Sequence, residues 1–417
     1  MRYAKESSNP ATNVTRYLGM IAMAVVLVFS LVSAPPAQTQ TLTVLHYFTG
    51  QGDGGQPYAG VTLYQQGRIY GTTYTGGTHQ FGTVYRLVRG GEGWIFTPLY
   101  SFGSQANDGH NPTARVVFGP DGLLYGTTDG GGAQGYGTVF SLQPPPTACK
   151  AFLCPWTETV IHSFNFDDGV EPGYGDLTFD QAGNIYGTTF NANGGNGLVF
   201  KLTRSGSSWT ETVLWHFTGG NDGSYPISGV IFDNAGNLYG TTSNGSRLGS
   251  GTVYELSPTE SGWTETTLYS FDGAHCCGDG GLAWDTHGNL FGISGIPPAK
   301  GEVHAMVYEL TPQNGSWSLT WLYDFGNQNE GPIASPTFDA HGNLYGPLPD
   351  GGNDFGLIFR LTPSGDHWLY TPFYEFENCH NGNGCYPLGT VAFDANGNMF
   401  GTTAGGTRAD TVWEITP

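Results

Sequence analysis

Positive charge is scarce in this sequence. Lys and Arg number 14 against 34 Asp and Glu, a net charge of −20. That balance excludes a surface built for nucleic acid phosphates or anionic lipid. No apolar run reaches the ~18 residues a membrane-spanning helix needs; the longest, Leu18–Val32, has 15. Gly-x-Ser-x-Gly, His-Glu-x-x-His and the Walker pattern are missing, which removes the sequence-local signatures of serine hydrolases, zinc proteases and nucleotide hydrolases. No two cysteines are spaced Cys-x-x-Cys and no loop has EF-hand spacing, so no metal is expected from spacing. No cofactor motif is present either.

Other features are abundant. Gly numbers 67 and aromatics make up 14% of the chain, while charged residues make up 12%. Disordered chains are charge-rich and aromatic-poor, so this one folds. Glycine without a three-residue period excludes collagen and suits short strands joined by tight turns.

The N-terminus has the pattern of an export signal. Arg2, Lys5 and Arg16 precede Leu18–Val32, and Ser33-Ala34-Pro35-Pro36-Ala37 follows. A signal peptide over 1–37 is expected, with cleavage within 34–40; the alternative is an uncleaved anchor. Cleavage takes away three basic residues and Glu6, moving the net charge from −20 to −22. The mature chain, 38–417, is then secreted or periplasmic, with no membrane span, and a monomer. No Cys follows the apolar run, which argues against a lipid anchor.

Six cysteines lie close in sequence: Cys149 and Cys154, Cys276 and Cys277, Cys379 and Cys385. In an oxidising compartment disulfides are expected. The first and last pairs can each close a short loop. Cys276 and Cys277 can form a vicinal disulfide, cross-pair with Cys379 and Cys385, or stay free.

A repeat organises the rest. Tyr70-Gly71-Thr72-Thr73 recurs at Tyr125, Tyr186 and Tyr239, and in degenerate form at Phe291, Tyr345 and Phe400. The steps are 55, 61, 53, 52, 54 and 55 residues. Each unit holds four strand-like runs; in the fourth they are Ser228–Asp233, Asn237–Ser243, Gly251–Ser257 and Trp263–Phe271. Seven such units predict an all-β, seven-bladed β-propeller with four antiparallel strands per blade. The repeats run near 59–102, 113–164, 175–217, 228–271, 281–325, 334–376 and 389–416 plus 42–48. Gly60, Ala114, Gly175, Ser228, Gly280, Ala334 and Gly389 occupy one place in the first run. Their small size puts that run at the axis. Thr41–Phe48 matches an outer strand and Thr411–Thr416 a third strand, so the N-terminal strand is expected to complete the last blade and close the ring.

The unit resembles the GloVer (Gloeo/Verruco) tandem repeat, through Tyr-Gly-Thr-Thr, the Gly-rich stretch, Gly-Thr-Val-Tyr, Trp-Thr-Glu-Thr and Leu-Tyr-Ser-Phe. The resemblance covers 41–417 and implies an exported bacterial protein. Members carry varied C-terminal anchors. This chain has no C-terminal sorting segment, so release is expected. The unit is also similar to a kelch blade, with Gly76-Gly77, Gly130-Gly131, Gly351-Gly352 and Gly405-Gly406 after the second strand. That likeness implies fold and strand order only.

Candidate site residues fall on one loop face. An acid before glycine recurs as Asp53, Asp108, Asp168, Asp222, Asp279 and Glu330. These acids either ring the channel mouth, taking a cation or basic ligand, or cap turns. The acids of Asp-x-x-Gly-Asn (Asp180, Asp233, Asp285, Asp339, Asp394) are expected to be structural. Blade-specific residues say more. Arg115 and Asp176 fall at one level of adjacent inner strands, as a ligand clamp or an inter-blade salt bridge. His79, His110, His275, His304 and His380 map to the same face, as acid/base or metal groups or as ordinary exposed histidines. The expected function is a secreted binding module for an extracellular glycan or envelope protein. The alternative is a carbohydrate-active hydrolase or lyase using acids and His at the mouth.

Overall fold

The computed structural model describes residues 40–417 except 92, 146–155, 247–248, 273–279, 296–304, 327–333, 378, 380–381 and 406–409. The chain divides into two compact units, Met1–Thr41 with Pro417, and Leu42–Thr416. Of the first, only residues 40, 41 and 417 are described.

The second unit is the propeller. It has seven four-stranded antiparallel sheets. Blade 4 shows the plan: Ile231–Phe232 innermost, then Leu238–Thr242, Thr252–Thr259 and Gly262–Ser270. In blade 7 the order is Ala392–Phe393, Met399–Ala404, Asp410–Thr416 and, outermost, the N-terminal strand Thr41–Tyr47. The Phe48 N–H continues this pairing by donating to the Asp410 carbonyl, 3.0 Å. The first and last strands of the fold therefore share one sheet, which leaves no blade open.

The inner strands are shorter than the sequence suggested. Six have two ladder residues and blade 1 has three. The small residues just before them pack sideways onto the next blade. A Cβ added to Gly389 would lie 2.1 Å from the Gly60 nitrogen, and one on Gly175 would lie 2.4 Å from the Gly229 nitrogen. Smallness is demanded by blade-to-blade backbone contact as much as by the axis.

Each residue of the Tyr-Gly-Thr-Thr signature has its own task. The tyrosine joins blades. Tyr186 meets Phe232 edge-on at 5.0 Å and Trp263 at 6.4 Å, both on the next blade. The same triad recurs as Tyr70–Phe118–Trp156, Tyr125–Phe179–Trp209 and Tyr239–Trp284–Trp317. The glycine makes room for a ring across the ladder: Gly240 lies opposite Tyr254, and an added Cβ would sit 2.4 Å from its hydroxyl. The first threonine donates to the next blade's inner backbone, as Thr72 to Ala114, Thr188 to Ser228 and Thr402 to Ala59, at 2.8–2.9 Å. The second binds a threonine of the third strand, as in Thr242–Thr252, 2.9 Å. Such buried hydroxyl bonds contribute about 1 kcal/mol each, and each edge-on ring pair about as much again. The core is accordingly seven clusters, each spanning two blades.

Candidate functional site

The loops entering each inner strand and the loops leaving each second strand pair with one another. Gly55 bridges Thr75, Val170 bridges Asn191, Ser224 bridges Asn244, and Gly109–His110 pairs with Gly130–Gly131. Both loop sets therefore form one face. A repeated backbone device holds it. Gln56, Asn111, Glu171, Tyr225 and Tyr386 each precede a proline and take φ between 55° and 61°, a conformation that is uncommon outside glycine. Two backbone bonds compensate. Glu171 N–H donates to Tyr136 O of blade 2, and Glu171 O accepts from Phe190 N–H of its own blade, both at 3.1 Å. These five side chains are thereby set at fixed places on the face.

Among the described residues, the recurring acids Asp53, Asp108, Asp168 and Asp222 turn inward to their own loops. Asp108 accepts from Tyr100 Oη at 2.7 Å, Ser104 N at 2.9 Å and Gly109 N at 2.8 Å. Asp53 takes the Thr49 amide, Asp168 the Asn165 amide and Asp222 the Thr218 amide, at 2.7–3.0 Å. The Asp-x-x-Gly-Asn acids cap turns too: Asp180 Oδ1 accepts from Ala182 N and Asn184 N, 2.9 Å each. Burial alone would push Asp180 up, but bonds from the Asn184 side chain and amide and from Tyr186 hold it below the usual aspartate value. His110 stacks on Phe81, ring centres 3.9 Å apart. His79 is exposed. Asp279, Glu330, His275, His304, His380, Cys149, Cys154, Cys276 and Cys277 lie outside the described residues. Cys379 and Cys385 form a disulfide.

Arg115 and Asp176 meet across blades 2 and 3. Arg115 Nε donates to Asp176 Oδ2 at 2.7 Å, and the Arg115 amide to Oδ1 at 2.9 Å. The side chains stay 25% and 31% exposed, because they line the central channel, a cavity of about 480 Å³. They form an inter-blade bridge that solvent can reach.

Sequence reasoning missed what stands above this pair. Tyr58, Tyr74, Thr113, Asp129, Tyr174 and Leu388 line a cavity of about 340 Å³ at the channel mouth. Four of them also line the channel. Tyr58 and Tyr74 lie 5.3 Å apart, and a second aromatic row runs Tyr174–Phe190–Tyr225 at 5.5 and 5.0 Å. Gly173 lets this assembly close: an added Cβ would be 2.3 Å from Thr113 Oγ1 and 3.2 Å from Asp129 Cα. Thr113 Oγ1 and Asp129 Oδ1 are both buried without a hydrogen-bond partner, a rare state in a folded protein. Burial, then the charge of Glu171, pushes Asp129 up to about 6. Burial and the two acids raise Tyr174 to about 12 and keep Tyr74 above the ordinary phenol value. The signal in the sequence was the position after Tyr-Gly-Thr-Thr. It holds Tyr74, Asp129 and Phe190 in blades 1–3 but Ser243 and Ala404 in blades 4 and 7.

Two other features are built differently. A cavity of about 600 Å³ between blades 7 and 1 is lined by Arg89, Trp94, Phe400 and Glu414 among others. Its charges face each other, Arg89 to Glu414 at 3.6 Å, and Trp94 packs on Phe400. Three outer-strand glutamates, Glu158, Glu211 and Glu265, are raised above the ordinary glutamate value by burial, with Asp108, Asp168 and Asp222 adding to it. Glu158 reaches about 8, with Gln105 Nε2 on its Oε2 at 2.6 Å. The folded state then holds a proton that the unfolded state releases near pH 4.5, so stability falls as pH rises toward about 8. Glu158→Gln should remove that slope, adding about 1–3 kcal/mol near pH 9 and little near pH 5. Urea unfolding at the two pH values measures it; an unchanged slope contradicts it.

The model of the Gloeobacter/Verrucomicrobia repeat matches residues 25–154 and 153–318, well over half of the chain. No curated protein matches the sequence significantly. Among solved structures, the chain is similar to the extracellular domain of a protein described as a hybrid two component system from B. thetaiotaomicron. Identity is 14% and the TM-score 0.55, over 91% of this chain and 42% of that one. The soluble aldose sugar dehydrogenase of Escherichia coli aligns at 12% identity and TM-score 0.46, over 91% and 100% of the two chains. A glucose dehydrogenase-type oxidoreductase of Thermus thermophilus aligns at 15% and 0.43, over 91% and 100%. At these identities the likeness shows the fold alone.

Proposed function

The chain belongs to the Gloeobacter/Verrucomicrobia repeat family, and from that premise we propose that it is an exported binding propeller that recognises a glycan at its channel mouth. One observation carries the reading: Tyr58, Tyr74 and Tyr174 line a cavity at the channel mouth together with the polar side chains of Thr113 and Asp129. Aromatic walls with a few convergent polar atoms are what a small-ligand pocket needs. A sugar ring offers both matching surfaces: a C–H face for tyrosine rings and hydroxyl groups for the polar lining of Asp129 and Thr113. Export and extracytoplasmic residence rest on the N-terminal signal pattern and agree with the Cys379–Cys385 disulfide.

An oligosaccharide array followed by calorimetry tests this. Tyr174→Ala should weaken a bound oligosaccharide about tenfold or more, the ~1.4 kcal/mol expected from one lost aromatic wall, with an unchanged melting temperature. Equal affinity in the variant would remove the mouth as the site.

A second reading has its own support. Asp129, raised to about 6 by burial and then by the charge of Glu171, has the raised carboxyl that a general acid in glycoside hydrolysis needs. Turnover that disappears in Asp129→Asn would establish it; binding without product would not.

A further inference from the structure

Asp129 lines the mouth and Glu171 stands near enough to raise it, and among the described residues neither has a cation of its own. Asp129 Oδ1 has no hydrogen-bond partner, and among the described residues neither Asp129 nor Glu171 forms an ion pair. The nearby guanidinium is already committed: Arg115 gives Nε, Nη2 and its amide to Asp176. Burying one carboxylate beside another is costly unless a positive group joins them. A neutral hydroxyl at the mouth would leave the repulsion in place.

The walls favour a cation as well. The Tyr58, Tyr74 and Tyr174 rings line the same cavity as Asp129, and the negative faces of aromatic rings attract ammonium groups. Their hydroxyls stay neutral, since each is held above the ordinary phenol value by burial first and by its neighbours second. A primary ammonium has one charge and three donors. Asp129 and Thr113 line the cavity beside the rings and supply the acceptors.

We propose that the mouth selects an amino sugar, with its free ammonium seated between Asp129, Thr113 and the three tyrosine rings. This rests on the glycan-binding reading above and names the sugar class.

The test compares a glucosamine tetramer with its fully N-acetylated counterpart at neutral pH, by calorimetry, on the full propeller. The free amine should bind about tenfold tighter, as one charge-assisted contact allows. Asp129→Asn, an isosteric change that relieves repulsion and keeps the fold, should abolish the preference; Glu171→Gln should reduce it. Asp366→Asn, an exposed acid on a distant hairpin, should keep it. A preference that survives Asp129→Asn, or falls equally in Asp366→Asn, overturns the inference, because the acidic surface alone is then attracting the amine. Equal binding of the two tetramers overturns it while sparing the glycan reading. If neither tetramer nor any neutral oligosaccharide binds, that reading falls and the inference with it.

Discussion

Deleting residues 42–48 should abolish cooperative folding, and adding the same segment as a peptide should restore it. The N-terminal strand is the outer strand of blade 7, and its Leu45 and Phe48 are 8% and 3% exposed. Phe48 also meets Tyr85 at 5.1 Å and Phe96 at 5.8 Å on blade 1. Stripping two buried large apolar side chains costs about 2–5 kcal/mol each, and their sum rivals the ~5–15 kcal/mol stability of a whole domain. The deletion also uncovers the ladder edge of Asp410–Thr416, inviting aggregation. A melt followed by circular dichroism, with size exclusion, reads the loss. Rescue by peptide is the sharper part, because strand addition repairs a missing edge and cannot repair a chain damaged elsewhere. A truncated chain that melts like the full one would mean that the ring does not depend on this closure.

The second large effect concerns the axis. Gly389→Ala should cost more than ~3 kcal/mol, above the usual overpacking penalty, because the new Cβ would fall 2.1 Å from Gly60 N and 2.4 Å from Ala59 C. Both obstacles are backbone, so neither can rotate away. Gly389 has no positive φ, so the penalty is steric only. Gly52→Ala is the matched control: it has no positive φ and no atom within 4 Å of an added Cβ, and should change stability by less than ~0.5 kcal/mol. Thermal or urea unfolding of the pair measures the difference. Equal, small effects would mean that blades 7 and 1 pack loosely at the axis.

These two predictions rest on features that were largely legible. Seven copies of one signature give the blade count directly, and the mismatch between the two chain ends gives the closure. Period-two strands and glycine-rich turns speak through local sequence, so they can be read from the chain alone. The length of the inner strands was not legible. Whether Gly175 continues a ladder or packs on Gly229 is decided by the neighbouring blade, not by its own flanks.

The site was legible only in part. Arg115 and Asp176 stood out because a repeat does not require them, and they do meet in the channel. The mouth above them was hidden for a physical reason. Tyr58, Asp129 and Tyr174 come from three blades and from loops of unequal length, so no spacing in the chain announces their meeting. Glu171 was harder still, since its place depends on a positive φ before proline, which residue type does not suggest. The recurring acids misdirect in the opposite sense: Asp53, Asp108, Asp168 and Asp222, conspicuous by repetition, are spent on amides three or four residues away.

Repeated residues build the ring, and blade-specific residues at one mouth are proposed to bind the ligand. A crystal structure with a bound oligosaccharide tests this most directly. The expected result is a sugar ring against Tyr58, Tyr74 and Tyr174, within hydrogen-bond distance of Asp129 and Thr113. A ligand seated instead in the cavity between blades 7 and 1, with the mouth empty, would contradict it.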